Sequence, residues 1–312
     1  MKHNTKITLI LLTMFIVTQF IGLYVINNYS VEGNTLPYGM EPPEIEENAD
    51  FYTSFLPSII VAFVIAVVLL ILFTRFKFDF ILKFWFFIVI LIAIAIFFNS
   101  VLPNENYIPL FALIFALPLA ILKVYRRNFL IHNLTELIVY PSIAAIFVPL
   151  LNLWTIIILL ILISIYDMWA VWRSGIMQKM AKYQMNQLKI FSGFIIPYIS
   201  KKVRMELKEV PKSELKNKKV KANIAILGGG DVIFPIITAG VVYLTEKVSF
   251  PFGLFPKFVF EGGLWPAIFV IIGATFGLSY LFVFAEKKKF YPAMPFISLG
   301  ILLGLLASII IL

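Results

Sequence analysis

The chain has 312 residues, of which 61% are hydrophobic and only 14% charged, and its mean hydropathy is +0.96. A soluble domain carries about 45–50% apolar and about 25% charged residues, so this composition excludes an ordinary soluble globular fold and makes the bilayer the relevant solvent. With no cysteine, disulfides, thiolate nucleophiles and cysteine-ligated metals are excluded as well.

Taken in order, Met1–Lys6 is short and basic and is followed by an apolar run over 7–26. No small-x-small cleavage site lies near Tyr24–Asn28, so the run reads as a retained first span rather than a removable leader. The next segment, 27–53, is acidic, with Glu32, Glu41, Glu44, Glu46, Glu47 and Asp50 and no Lys or Arg. It contains Asn28-Tyr29-Ser30, a glycosylation acceptor if this side is external. Further apolar runs follow at 54–73, 79–98, 107–124, 129–150 and 152–172, and Pro118 and Pro141 are expected to kink two of them.

After Trp172 the character changes. Arg173 to Lys221 holds 13 of the 26 Lys and Arg residues. Its first part, with Ile176, Met177, Met180, Met185, Leu188 and Ile190 among Lys and Gln, is partly amphipathic and is expected along the membrane surface. Lys201–Lys221 reads as a mobile basic loop. Apolar runs at 223–246, 264–285 and 290–312 close the chain.

The expected fold is therefore a single all-α polytopic membrane domain over 1–312, with nine transmembrane helices and a basic cytoplasmic loop at 173–222. Charge gives the orientation. With a cytoplasmic N-terminus and an external C-terminus, the cytoplasmic segments 1–6, 74–83, 123–128, 173–222 and 286–289 carry 24 of the 26 Lys and Arg residues, leaving only Lys247 and Lys257 outside. The net charge of +9 is thus an orientation signal facing anionic lipid, not a nucleic-acid surface. No internal repeat of the kind found in many transporters is visible.

Two lone acids sit inside apolar runs: Asp231, directly after Gly228-Gly229-Gly230, and Asp167, in Ser164-Ile165-Tyr166-Asp167-Met168-Trp169. A carboxylate at that depth costs roughly 2.5–3.5 kcal/mol on insertion scales, so it is rarely present without a role. Three glycines beside Asp231 let another backbone or a substrate approach closely. In the expected topology both acids lie roughly 8–12 Å below the cytoplasmic surface, at 1.5 Å per helical residue. Tyr291-Pro292-Ala293-Met294-Pro295 enters the membrane at the same level, and its prolines leave an irregular backbone edge there.

Two carboxylates close together share a proton, because both cannot ionise comfortably in a low dielectric. One can then activate water while the other protonates or polarises a carbonyl. The histidines, His3 in the N-terminal tail and His132 near a membrane edge, offer no Ser–His or Cys–His alternative, and no metal or cofactor is implied. Glu136, a third acid near His132 and Arg127, reads as interfacial or ion-paired. Gly273-x-x-x-Gly277 and Gly300-x-x-x-Gly304 read as helix-packing motifs.

The ordered set Tyr166-Asp167, Gly228-Gly229-Gly230-Asp231 and Pro292-Ala293-Met294-Pro295 resembles the presenilin and signal peptide peptidase group of intramembrane aspartyl proteases, whose patterns are Tyr-Asp, Gly-x-Gly-Asp and Pro-Ala-Leu. The nine-span layout and the large loop before the seventh span are similar too. The resemblance implies that Asp167 and Asp231 are the catalytic pair. Tyr166 and Gly229 belong to the same active-site set, and Gly228 and Gly230 give room beside Asp231. Pro292, Ala293, Met294 and Pro295 border the site and position substrate. It implies as partners the transmembrane helices of other proteins or signal peptides, entering laterally from the bilayer, unwinding near the two acids and pairing as a strand with local backbone. Met294 departs from the usual leucine but is similar in volume. Pro295 and the cytoplasmic N-terminus are closer to presenilin, and the compact chain resembles the archaeal branch. On the residues alone, two rival readings stay open: a proton- or cation-coupled transporter using the two acids as carriers, and a non-catalytic membrane scaffold.

Overall fold

The computed structural model describes residues 5–31, 36–40, 79–102, 108–126, 128–174, 192–198, 223–246, 248–249, 259–285 and 291–312, with helical positions scattered between 57 and 72. Its helices are α1 Thr5–Ile26, α2 Asp79–Val101, α3 Ile108–Tyr125, α4 Phe129–Phe147, α5 Leu153–Trp169, α6 Gly229–Leu244, α7 Leu264–Phe284 and α8 Met294–Ile311. Strands β1 Gly193–Tyr198 and β2 Asn223–Gly228 precede α6, and a short pair, β3 Val248–Ser249 and β4 Val259–Phe260, follows it.

Among the described residues, seven helices are long and apolar enough to cross a membrane, while α6 is shorter. Side chains such as Leu9, Phe20, Trp85, Phe111, Phe276 and Leu303 are exposed on the outside of the bundle. An apolar exterior fits lipid as solvent. The chain is an integral membrane protein.

The first correction concerns the expected seventh span at 223–246, which is not one helix. Its first six residues form β2, and α6 starts only at Gly229. The reason is local. Ala225 and Leu227 are buried while their neighbours are more exposed, a period of two. Gly228 then holds an extended backbone (φ −63°, ψ 147°) as the helix cap. The fold is accordingly mostly helical rather than all-α. A second correction concerns the segment 173–222, which is not loop throughout. Phe194 and Ile195 belong to β1, which pairs antiparallel with β2 in the register Gly193↔Gly228, Ile195↔Ile226, Tyr198↔Asn223. Most of the expected second span at 54–73, the surface segment 176–190 and the loop 201–221 lie outside the described residues.

Short as it is, α6 is the hub. It packs against α1, α4, α5, α7 and α8, and it buries Val232 and Pro235 through Val242. Gly22 on α1 meets Ile236, and Gly240 receives Ile26 and Val148. The entry to α5 is closed by a reciprocal cap: Thr155 N–H donates to Asn152 Oδ1 at 2.8 Å, and Asn152 N–H donates to Thr155 Oγ1 at 2.9 Å.

The two small-residue motifs face each other across α7 and α8. A Cβ at Gly273 would run into the Gly300 carbonyl, one at Gly277 into that of Phe296, and one at Gly304 into that of Phe269. Backbone lies against backbone, which is how helices gain dispersion energy where lipid removes the hydrophobic drive.

Lys123, grouped by sequence with the cytoplasmic charges, is instead buried. Its ammonium lies 2.9 Å from Glu136 Oε1, and both side chains are 2% exposed. Glu136 is therefore ion-paired, but inside the bundle and with Lys123.

Gly300→Val is expected to lower stability by about 1–3 kcal/mol through overpacking, read as a lower thermal midpoint in detergent, whereas Leu303→Val on the outer face of α8 leaves the midpoint near wild type.

Candidate active site

The site is built on three mutually packed helices, α5, α6 and α8. Asp167 lies two residues before the end of α5 and is 4% exposed. A helix begins with amides that lack an intrahelical acceptor. At the start of α8 the preceding residue, Ala293, has no side-chain group to supply one. Asp167 takes that place from another helix: the Met294 N–H donates to its Oδ2 at 3.1 Å, and the Ala293 amide reaches the same carboxylate. A carboxylate at a helix N-terminus is stabilised by roughly 0.3–1 kcal/mol, up to about 2 when partly buried. Pro295, in the first turn, withholds an amide where none is required. One turn away, Ser164 Oγ donates to Ser298 Oγ at 2.9 Å, a second tie between α5 and α8. Pro292 and Met294 are buried, and Tyr166 is partly exposed with its ring 6.3 Å from that of Trp169.

Asp231 is the third residue of α6 and is half-buried. Its carboxylate turns back over the helix start, so that a Cβ at Gly228 would sit 3.0 Å from Oδ2. At Gly229 a Cβ would stand 2.6 Å from Ser192 Oγ and 3.0 Å from Tyr140 Oη. Gly230 is exposed, and its nearest neighbour would be the Phe234 ring at 3.8 Å, an ordinary contact. Of the two glycines expected to make room beside Asp231, Gly228 lies against its carboxylate, whereas Gly230 has only the Phe234 ring near it. Gly229, the first residue of α6, faces Ser192 and, on α4, Tyr140 instead.

Two further groups escaped sequence reading. Gln19 on α1 is fully buried and donates from Nε2 to the Val232 carbonyl, next to Asp231, at 3.2 Å. It was hidden as the one amide side chain in a long apolar run whose other small polar groups are Thr8, Thr13 and Thr18. Asn133 on α4 bonds Ile195 of β1 twice, its Oδ1 accepting from Ile195 N–H at 2.9 Å and its Nδ2 donating to the carbonyl at 2.8 Å. With both Ile195 backbone groups turned to α4, the groups of its partner Ile226 point to the opposite side of β2. Among the described residues no further strand pairs there.

Gly229→Val is expected to cost about 1–3 kcal/mol by crowding Ser192 and Tyr140, while Gly230→Ala leaves the unfolding midpoint within about 1 kcal/mol of wild type. Denaturant unfolding of the two variants checks the contrast.

Residues 12–312 match the family described as "Signal-peptide peptidase, presenilin aspartyl protease". The solved structure of a presenilin family intramembrane aspartate protease in space group C222 is similar at a TM-score of 0.60 and 17% identity, covering 98% of this chain and 99% of that one. A presenilin family intramembrane aspartate protease in space group P2 is similar at 0.57 and 16%, covering 97% of each chain. Comparison with curated proteins gives no match. The structural likeness carries the fold, and the family match, which spans nearly the whole chain, carries the activity class and separates it from the transporter and scaffold readings. The chain belongs to the signal-peptide peptidase and presenilin family of aspartyl proteases, and it is an intramembrane peptide hydrolase.

Proposed function

We propose that Asp167 and Asp231 are the catalytic pair and that the substrate is a transmembrane helix or signal peptide cut within its apolar segment. One observation carries this reading. Asp167 is fixed at the first turn of α8, and Asp231 stands in the first turn of α6, which packs against both α5 and α8. In the proposed reaction one carboxylate takes a proton from water as the water oxygen attacks the scissile carbonyl carbon. The other, protonated, gives its proton to the carbonyl oxygen. Collapse of the tetrahedral intermediate breaks the C–N bond, and the leaving amine takes up a proton. Every proton is accounted for by the pair and water, so the reaction needs neither metal nor cofactor.

The surroundings have roles in the same proposal. Gly228 and Gly229 bring β2 and the α4 side close to Asp231. The Ala293 and Met294 amides hold Asp167, and Pro292 and Pro295 beside them border the cleft, with Tyr166 at its rim and Gly230 presenting open backbone. A helix cannot be hydrolysed while its amides are enclosed. An unwound substrate segment satisfies its own backbone by adding to the unpaired side of β2 at Ile224 and Ile226, since the α4 side of β1 is taken by Asn133. The Lys and Arg distribution supports nine spans in a cell membrane, with the N-terminus cytoplasmic and the C-terminus external, which opens the site to cytoplasmic water.

Asp167→Asn and Asp231→Asn are each expected to reduce cleavage of a single-span substrate to below about one hundredth of wild type, since each removes a proton carrier. Folded yield should be kept, because an asparagine oxygen at position 167 still accepts the Met294 amide. Purified proteins in detergent and in liposomes provide the assay. Substantial hydrolysis by either variant would sink the assignment.

A further inference from the structure

The costliest group of side chains outside the pair lies on α3 and α4. Lys123 and Glu136 form an ion pair whose side chains are each 2% exposed. Such a pair contributes little net stability, since desolvation offsets the attraction. Its position suggests another use.

Glu136 Oε1 is a shared acceptor. Besides the Lys123 ammonium at 2.9 Å, it faces the Gly193 N–H at 3.5 Å and His132 Nε2 at 3.6 Å. His132 Nε2 is also 2.7 Å from the Gly193 carbonyl, and Asn133 holds both backbone groups of Ile195. One turn and a half of α4 therefore reads the backbone of β1 at alternate residues, as a neighbouring strand does. Gly193 has φ +145°, a backbone conformation that favours glycine. It pairs with Gly228, over which the Asp231 carboxylate folds. A second link runs beside the first: Tyr140 Oη lies 3.5 Å from Ser192 Oγ, and both line the space that Gly229 leaves open.

We propose that Lys123, Glu136, His132 and Asn133 are positioning residues for the hydrolysis: a polar clamp on α3 and α4 that holds β1 in register and, through Gly193 and Gly228, sets the position of Asp231. The buried charge serves geometry rather than stability. The Lys123 ammonium, 2.9 Å from Glu136 Oε1, holds that oxygen where it faces the Gly193 amide. This inference rests on the assignment of Asp231 to the catalytic pair.

The test separates charge from acceptor. The double variant Lys123→Met with Glu136→Leu removes the ion pair and the acceptor together, a replacement that buried pairs tolerate. The double variant Lys123→Met with Glu136→Gln removes both charges but leaves an oxygen for the Gly193 amide. The first is expected to keep the wild-type unfolding midpoint, lose at least about tenfold in kcat and change KM by less than about twofold, because reactive groups are misplaced rather than substrate binding lost. The second is expected to restore kcat to within about threefold of wild type. Asn133→Leu, which buries no charge, is expected to lower kcat in the same way. Backbone hydrogen–deuterium exchange in 193–198 and 223–228 should rise in the first double variant and in Asn133→Leu, and stay low in the second. Wild-type kcat in the folded Leu double variant, or a loss confined to KM, overturns the proposal, as does unchanged exchange in β1. If the Leu double variant does not fold, Asn133→Leu decides by the same readouts. The exchange result stands apart from the catalytic assignment, which fails separately if Asp231→Asn still cleaves.

Discussion

A polar group inside a bilayer must find its partner within the protein, because lipid offers none. That constraint shapes the site more than any other. Asp167 is an acceptor placed where water is scarce, and the start of α8 is a set of amide donors without acceptors of their own. Each answers the other at 3.1 Å. Among the described residues no cation pairs with Asp167, and the helix N-terminus supplies positive potential without adding a charged group. The Pro-Ala-Met-Pro sequence is suited to this: Ala293 brings no capping group of its own, and Pro295 no surplus donor.

The same constraint explains why strands occur in a helical membrane protein. An extended segment at membrane depth is tolerated only when its edges are covered. Gly193 and Ile195 turn their outward groups to His132, Glu136 and Asn133, and their inward neighbours pair with β2. In the proposed reaction, the opposite side of β2 is the one that an unwound substrate pairs with. A helix such as α6, enclosed by five others, then carries the second aspartate at the end nearest that strand.

Much of this was legible in the sequence, for identifiable reasons. Long apolar runs fix spans because a helix must cover about 30 Å of hydrocarbon. Lone acids in such runs are costly enough to signal a role, and the glycine spacing on α7 and α8 signalled backbone contact. What stayed hidden depended on long-range pairing. The apolar stretch Asn223–Gly228 is as compatible with a helix as with a strand until its partner, some thirty residues earlier, is known. Lys123 looked like an interfacial charge because its partner sits on the next helix. Gly229 and Gly230 cannot be told apart without knowing which way the first residue of α6 faces.

If Asp167 and Asp231 act on one reacting centre, inhibitor binding reveals it without turnover. A peptide isostere bearing a hydroxyl in place of the scissile carbonyl mimics the tetrahedral intermediate. Its affinity should be measured for wild type, each Asp→Asn variant and the double variant, in the same detergent and at the same pH. If both acids hold the one hydroxyl, each single substitution weakens binding by about a hundredfold or more, and the double variant binds no worse than either single, since groups that act as a unit are not additive. Undiminished binding by either single variant, or losses that simply add, would contradict the shared centre.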